Sequence, residues 1–268
     1  MKHLIRYLSA MLLALSMNGN AQAVSLGTLI NENQSIQVED KLFSDFWWDK
    51  DISDSSFQNY DFDGLLNSIT VTGLASTPGL LNPGLSFVTN DLLVTSDGLF
   101  EFIDLFFGFK VTVIDTVLGP DLFIKDNSLT MLAERTESGD NGVYIREQVG
   151  KTEAAVRNIL SDGDLGTKEV ELSWLDGDLI GPGEDSLDVV NLADAAAFAP
   201  QKEVYVSKNI LVWADNDGIN NLPVTASLNS FDQRFSQTTT TIPEPETWLL
   251  LSVGMMGFVF NLKRRKSL

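Results

Sequence analysis

The sequence predicts an all-β fold, an antiparallel β-sandwich of jelly-roll or immunoglobulin-like type. Three observations carry that expectation. Short segments alternate apolar and polar residues with period 2, as half-buried strands do. Turn dipeptides punctuate them, at Asp97-Gly98, Asp140-Asn141-Gly142, Asp162-Gly163, Asp176-Gly177 and Asp217-Gly218. The chain has 268 residues and no cysteine, so packing alone must close the core, which a domain of this length can do without staples.

Taken in order, residues 1–23 stand apart from the rest. Met1-Lys2-His3-Leu4-Ile5-Arg6 is basic, Leu8 to Met17 is an uncharged apolar run, and Ala21-Gln22-Ala23 sets two small residues two apart. These are the parts of a secretory signal peptide, because signal peptidase admits only small side chains at Ala21 and Ala23. The apolar run falls short of the roughly 20 residues a spanning helix needs. Cleavage after Ala23 makes Val24 the first mature residue and implies the Sec translocon and signal peptidase as partners.

Residues 24–236 read as one β-rich extracellular domain. Trp47 and Trp48 are adjacent, so in a strand one faces in and one out, and an outward Trp is able to stack on a sugar ring. Ile103, Leu105, Phe107, Phe109, Val111 and Val113 share one face of a long strand, with Lys110 and Thr112 opposite. Val143, Ile145 and Val149 alternate with Tyr144, Arg146 and Gln148. Val170, Leu172 and Trp174 alternate with Glu169, Glu171 and Ser173. Val204, Val206, Ile210 and Val212 form another run, and Val224, Ala226 and Leu228 a last one. Lys151 to Leu160 suits a helix or a strand, and Leu192 to Ala199 is equally ambiguous.

Residues 237–242 are a Thr-rich linker, and 243–268 form the C-terminal segment. Pro243-Glu244-Pro245 is held extended by its prolines. Trp248 to Leu262 carries no charge, and Lys263-Arg264-Arg265-Lys266 closes the segment. As a helix the apolar run spans about 22 Å, less than a hydrocarbon core of about 30 Å. The basic cluster stays cytoplasmic by the positive-inside bias and acts as a membrane stop.

Pro243-Glu244-Pro245, the apolar helix with Gly254 and Gly257, and the Lys/Arg end together resemble the PEP-CTERM sorting signal of exopolysaccharide-producing Gram-negative bacteria. The resemblance implies processing by an exosortase, a membrane cysteine protease-transpeptidase, after transient residence in the inner membrane. Delivery to the cell surface or extracellular matrix follows. More faintly, Leu42-Phe43-Ser44-Asp45-Phe46 and the run Ala226 to Phe235 resemble sandwich-like domains that accompany this signal, which implies no activity.

The 37 acidic against 18 basic residues give a net charge of −19. Processing at both ends removes six basic and two acidic side chains, so 12 basic against 35 acidic residues leave −23. Phosphate is repelled by such a surface, which rules against nucleic acid as a partner. His3 departs with the signal peptide, and the mature chain then holds neither His nor Cys. A Ser-His-Asp triad, a Cys-His pair, and haem or blue-copper ligation are thereby closed. Carboxylate chemistry of the glycosidase kind and oxygen-ligand metals stay open.

No cofactor is expected, with calcium the one ion left open, at Asp162 and Asp164, Asp176 and Asp178, and Asp215 and Asp217, where carboxylates lie two apart. The slot after Asp217 is Ile219, which breaks the EF-hand spacing. No catalytic residue emerges from the spacing of the carboxylates. The expected function is a non-enzymatic structural or adhesive surface protein associated with extracellular polysaccharide. The alternatives are a carbohydrate-binding module, calcium-assisted or not, and a carboxylate-dependent glycosidase.

Overall fold

The computed structural model describes residues 23–90, 92–114, 121–136, 139–159, 162–175, 187–216 and 223–239. Among these the strands are β1 (Val24–Ser25), β2 (Ile36–Val38), β3 (Lys41–Trp48), β4 (Asp54–Ser55), β5 (Ile69–Leu74), β6 (Gly84–Thr89), β7 (Leu93–Ser96) and β8 (Glu101–Val113). They continue with β9 (Phe123–Arg135), β10 (Asp140–Gly150), β11 (Gly166–Leu175), β12 (Leu187–Asn191), β13 (Ala193–Gln201), β14 (Glu203–Asp215) and β15 (Val224–Thr238). Three short helices interrupt them, α1 (Leu26–Asn31), α2 (Phe62–Ser68) and α3 (Glu153–Val156). The signal-peptide residues before Ala23, the sorting segment and its basic end lie outside the described residues. Among the described residues no helix is long and apolar enough to cross a membrane.

All strand pairs are antiparallel, in two sheets. The first runs β1-β5-β6-β15-β9-β13, with β7 beside β15 as well. The second runs β12-β11-β10-β14-β8-β3-β2, with β4 beside β8. Their inner faces meet through phenylalanines. Phe87 and Phe231 stack with ring centroids 4.5 Å apart, and Phe43 bridges Phe109 and Phe235 at 6.2 and 5.8 Å. The expected alternation holds: Ile103, Leu105, Phe107, Phe109, Val111 and Val113 are all buried, as are Val204, Val206, Ile210 and Val212. The sandwich is thus all-β, as the pattern predicts.

Several local readings resolve or change. Lys151–Leu160 contributes the single turn α3, capped by Thr152, whose hydroxyl accepts the Ala155 N–H. Leu192–Ala199 belongs with strand β13. Asp140-Asn141-Gly142, expected as a turn, instead opens β10, and Gly139 ahead of it takes φ 66°. Gly142 serves a close approach: a Cβ there would lie 2.6 Å from the Trp213 ring and from Ser173 Cβ. Strand β15 runs two residues into the expected linker, with Gln237 and Thr238 still paired to Ile124 and Phe123.

The Trp47-Trp48 pair shows a bulge at work. Asp45 takes φ 51°, and the register of β3 against β8 shifts between Ser44 and Trp47. Phe43, Phe46 and Trp48 therefore face the main core, while Trp47 turns to the other side of the sheet. That side is not free for a sugar. Trp47 packs with Phe106, Val156 and Ile52, the Arg157 guanidinium lies 4.1 Å from its ring centroid, and 9% of its surface is exposed. The Trp48 indole donates to Ser53 Oγ at 2.8 Å.

Trp47 lies flat on the sheet because residue 108 has no side chain. A Cβ there would sit 2.3 Å from Trp47 Cζ2 and 2.4 Å from the Val206 carbonyl oxygen, a backbone atom held by the β8–β14 ladder. Gly108→Ala is expected to lower stability by about 1–3 kcal/mol through this overpacking. Urea unfolding followed by tryptophan fluorescence checks it, and an unchanged midpoint would contradict the assignment.

Candidate functional site

The inward slots of β10 are Val143, Ile145, residue 147 and Val149, and at 147 the chain carries Glu. Its register partners are Lys168 on β11 and Lys208 on β14. Each of these also occupies an inward slot, ahead of Val170 and between Val206 and Ile210. Pleating thus drives three charges into the space between the sheets, where Glu147, Lys168 and Lys208 are all fully buried. Both lysines ion-pair with Glu147, Lys168 through Oε1 and Lys208 through Oε2.

The facing sheet adds Asn127 from β9, also fully buried. Its Nδ2 donates to Glu147 Oε1 at 2.7 Å, and its Oδ1 accepts from Lys168 Nζ at 2.5 Å. The Lys208 ammonium sits 5.0 Å from the Phe231 ring centroid, an additional cation–π contact across the sheets. Burial opposes ionisation of Glu147, but the two lysines and their hydrogen bonds outweigh it and hold the carboxyl below its usual range. Burial pushes the Lys208 ammonium down to about 8, against the pull of Glu147 and with the like charge of Lys168 adding to the fall. The cluster therefore carries more positive than negative charge in a setting that tolerates neither well.

Nearby polar groups in the core are less well served. Gln233, between Phe231 and Phe235 on β15, has no hydrogen-bond partner for either amide atom. Lys41 is fully buried with an unpartnered Nζ, 4.0 Å from Asp40 Oδ1. Burial brings its ammonium down to about 8, opposed by Asp40, Glu39 and Asp126.

On the outer face of the second sheet, Arg146 reaches Asp162 at 2.8 Å and Glu169 at 3.5 Å. Beside them an open depression of about 570 Å³ is lined by Asp162, Glu169, Asp194 and Leu165–Thr167, where β11 begins. Asp104 faces Asp54 across the β4–β8 pairing. Burial first, and the Asp54 charge second, raise its carboxyl to about 6, while a hydrogen bond with Asn209 works the other way.

Three of the six expected calcium carboxylates, Asp162, Asp164 and Asp215, lie among the described residues. Asp162 is engaged by Arg146, and Asp164 accepts the Lys151 N–H at 2.8 Å. Asp215 closes β14 opposite Asp140. Asp176, Asp178 and Asp217 lie outside the described residues. Among the described residues no three carboxylates are grouped to hold a metal ion. Ala23 is exposed just ahead of β1, whereas Ala21 lies outside the described residues, as do Pro243, Glu244, Pro245 and Lys263 to Lys266. The alternating pattern passed over Glu147, Lys168, Lys208 and Asn127. The signal available was a charged residue in the inward slot of three apolar strands.

Residues 241–266 match the PEP-CTERM protein-sorting motif, so the chain carries that signal and is marked for exosortase-dependent export to the cell envelope or surface. No curated protein matches the chain. Among solved structures, one similar chain comes from the accessory secretory protein 1, 2 and 3 structure of Streptococcus pneumoniae. It is 14% identical, with 70% of this chain and 95% of that one covered and a TM-score of 0.21. The family 11 xylanase of Neocallimastix patriciarum is 8% identical over 80% of this chain and 99% of its own, at a TM-score of 0.23. The Cel12A catalytic domain of Humicola grisea is likewise 8% identical over 80% and 99%, at 0.25. Overlaps this slight bear on neither mechanism nor substrate.

The Asp104 carboxyl yields a pH dependence. Its folded pKa, about 6, lies above the ordinary 3.8. Its contribution to stability is then complete below pH 3.8 and is lost as the pH rises through 6. Asp104→Asn is expected to be more stable than the parent by about 1–2 kcal/mol above pH 6, and equal to it near pH 4. Denaturant midpoints from pH 4 to 8 check this, and a pH-independent difference would contradict it.

Proposed function

We propose that this protein is a non-enzymatic structural or adhesive component of the cell surface or extracellular matrix, released from the inner membrane by an exosortase. The observation that carries this reading is the position of the sorting motif. It begins at residue 241, three positions after the last sheet residue, Thr238. Few residues thus separate the folded sandwich from the motif, and the prolines of Pro243-Glu244-Pro245 disfavour helix at that point in the sequence.

A leader at residues 1–23, cleaved after Ala23, brings the chain to the Sec translocon. The acidic exterior favours solubility and association with polysaccharide through bridging cations. A carbohydrate-binding role, with or without calcium, would use the open depression around Asp162, Glu169 and Asp194. Pulldown against the producer's own extracellular polysaccharide, with and without calcium, tests that role, and Asp194→Ala should weaken capture if the depression is the site.

Replacement of Pro243-Glu244-Pro245 by three alanines is expected to leave an uncleaved precursor in the inner membrane. Removal of Lys263–Lys266 weakens retention instead, by loss of the cytoplasmic stop. Membrane fractionation and mass spectrometry of surface-released protein check both outcomes. Released protein that still carried Trp248 to Leu268 would overturn the sorting reading.

A further inference from the structure

The four buried side chains around Glu147 are a reactive set as well as a polar one. Lys168 Nζ touches the amide of Asn127 at Oδ1, 2.5 Å away, so the amine stands beside the carbonyl carbon Cγ. Glu147 Oε1 touches both the Lys168 nitrogen and, at 2.7 Å, the Asn127 Nδ2. One carboxylate oxygen thus contacts the nucleophile and the leaving group together. Lys208 holds the other oxygen, Oε2, and keeps Oε1 directed at the reacting pair.

We propose that Lys168 and Asn127 form an intramolecular amide bond, Nζ to Cγ, with loss of ammonia and with Glu147 as proton shuttle. A proton passes from the Lys168 ammonium to Glu147, and the freed amine attacks Cγ. Glu147 gives its proton to Nδ2 and takes one from the attacking nitrogen. The tetrahedral carbon collapses, the Cγ–Nδ2 bond breaks, and ammonia departs with the remaining proton as ammonium, which restores the Glu147 carboxylate. Nothing is oxidised or reduced, and no co-reactant enters.

Two physical terms favour the reaction. The groups are fixed by strand register and full burial, so an ordinarily slow exchange of amine for amide becomes intramolecular with water excluded. Charge balance points the same way. The cluster begins with two ammonium groups against one carboxylate, and an uncompensated buried charge is costly. The reaction expels one positive charge and leaves a neutral Lys208–Glu147 pair. Lys208 is not the nucleophile, since its ammonium lies on Oε2 and over the Phe231 ring, while Lys168 holds the Asn127 amide.

The bond is read directly in the full chain as the cell makes it, denatured and digested with trypsin. The enzyme should fail to cut after Lys168 and should give a branched species of residues 126–135 joined to 158–202, about 17 Da lighter than the two linear peptides combined. Glu147→Gln and Asn127→Ala should abolish the branch. Lys41→Met, which removes a buried lysine outside the cluster, should keep it. The parent measurement decides even where a cluster variant fails to fold. Linear peptides 126–135 and 158–168 from the folded parent chain would overturn the proposal, and a branch at Lys208 would overturn the assignment of the nucleophile.

Discussion

Glu147 is the point on which the two sheets are hung. A sandwich of phenylalanines and valines is held by non-directional burial, which tolerates sliding of one face over the other. A carboxylate in the middle of that face does not slide, because it must keep both ammonium groups and the Asn127 amide or leave them unsatisfied in an apolar interior. Lys168 and Lys208 set Glu147 within its own sheet, since both are its direct register partners. Asn127, and Phe231 beneath Lys208, then set that sheet against the other. The alternation of strands β10, β11 and β14 is therefore specified twice, by hydrophobicity and by charge.

The main architecture was legible because the long strands obey period 2, so an inward face could be read from Ile103 to Val113 and from Val204 to Val212. Short or weakly patterned pieces were not. Strand β13 is mostly alanine, which carries little preference between helix and sheet edge in this setting. Helix α3 is a single turn that depends on Thr152 as cap. The bulge at Asp45 inverted the phase of Trp47, and no local pattern announces a positive φ at an aspartate. Gly142 carries a turn signal but sits in β10, because a glycine that admits a tryptophan from a neighbouring strand looks the same in sequence as one that permits a turn. The buried cluster escaped for a different reason. In a pattern of apolar residues alone Glu147 and Lys208 are gaps, whereas in the sheet they are its continuation.

Inside and outside carry opposite charge. Lys41, Lys168 and Lys208 are wholly buried, so the solvent-facing surface is more acidic than the net charge of −19 conveys. This partition separates the two roles electrostatics plays here. Exposed carboxylates act over a Debye length, keep copies apart and select partners by repulsion. The interior cations act over a few ångströms and serve the fold. Arg146, spanning Asp162 and Glu169, and Arg157, over Trp47, lie between these extremes and order the outer face of the second sheet without neutralising it.

A protein exported to the cell envelope or surface leaves the ATP-driven chaperones of the cytoplasm behind, and this one has no cysteine with which to form disulfides. Its stability must come from the breadth of the sandwich and from whatever covalent closure its other side chains allow. A link from residue 127 to residue 168 closes a loop of roughly 40 residues, which by the loop-entropy reasoning applied to disulfides stabilises by about 4 kcal/mol. Such a link joins the two sheets at the place where the buried charges already demand that they meet. It also fits the ordering constraint that export imposes. Amide exchange at this site needs the register of β10 with β11 and the approach of β9, so it can follow only on folding. A chain crossing the membrane unfolded stays unlinked, and the brace is set only once the sandwich has closed.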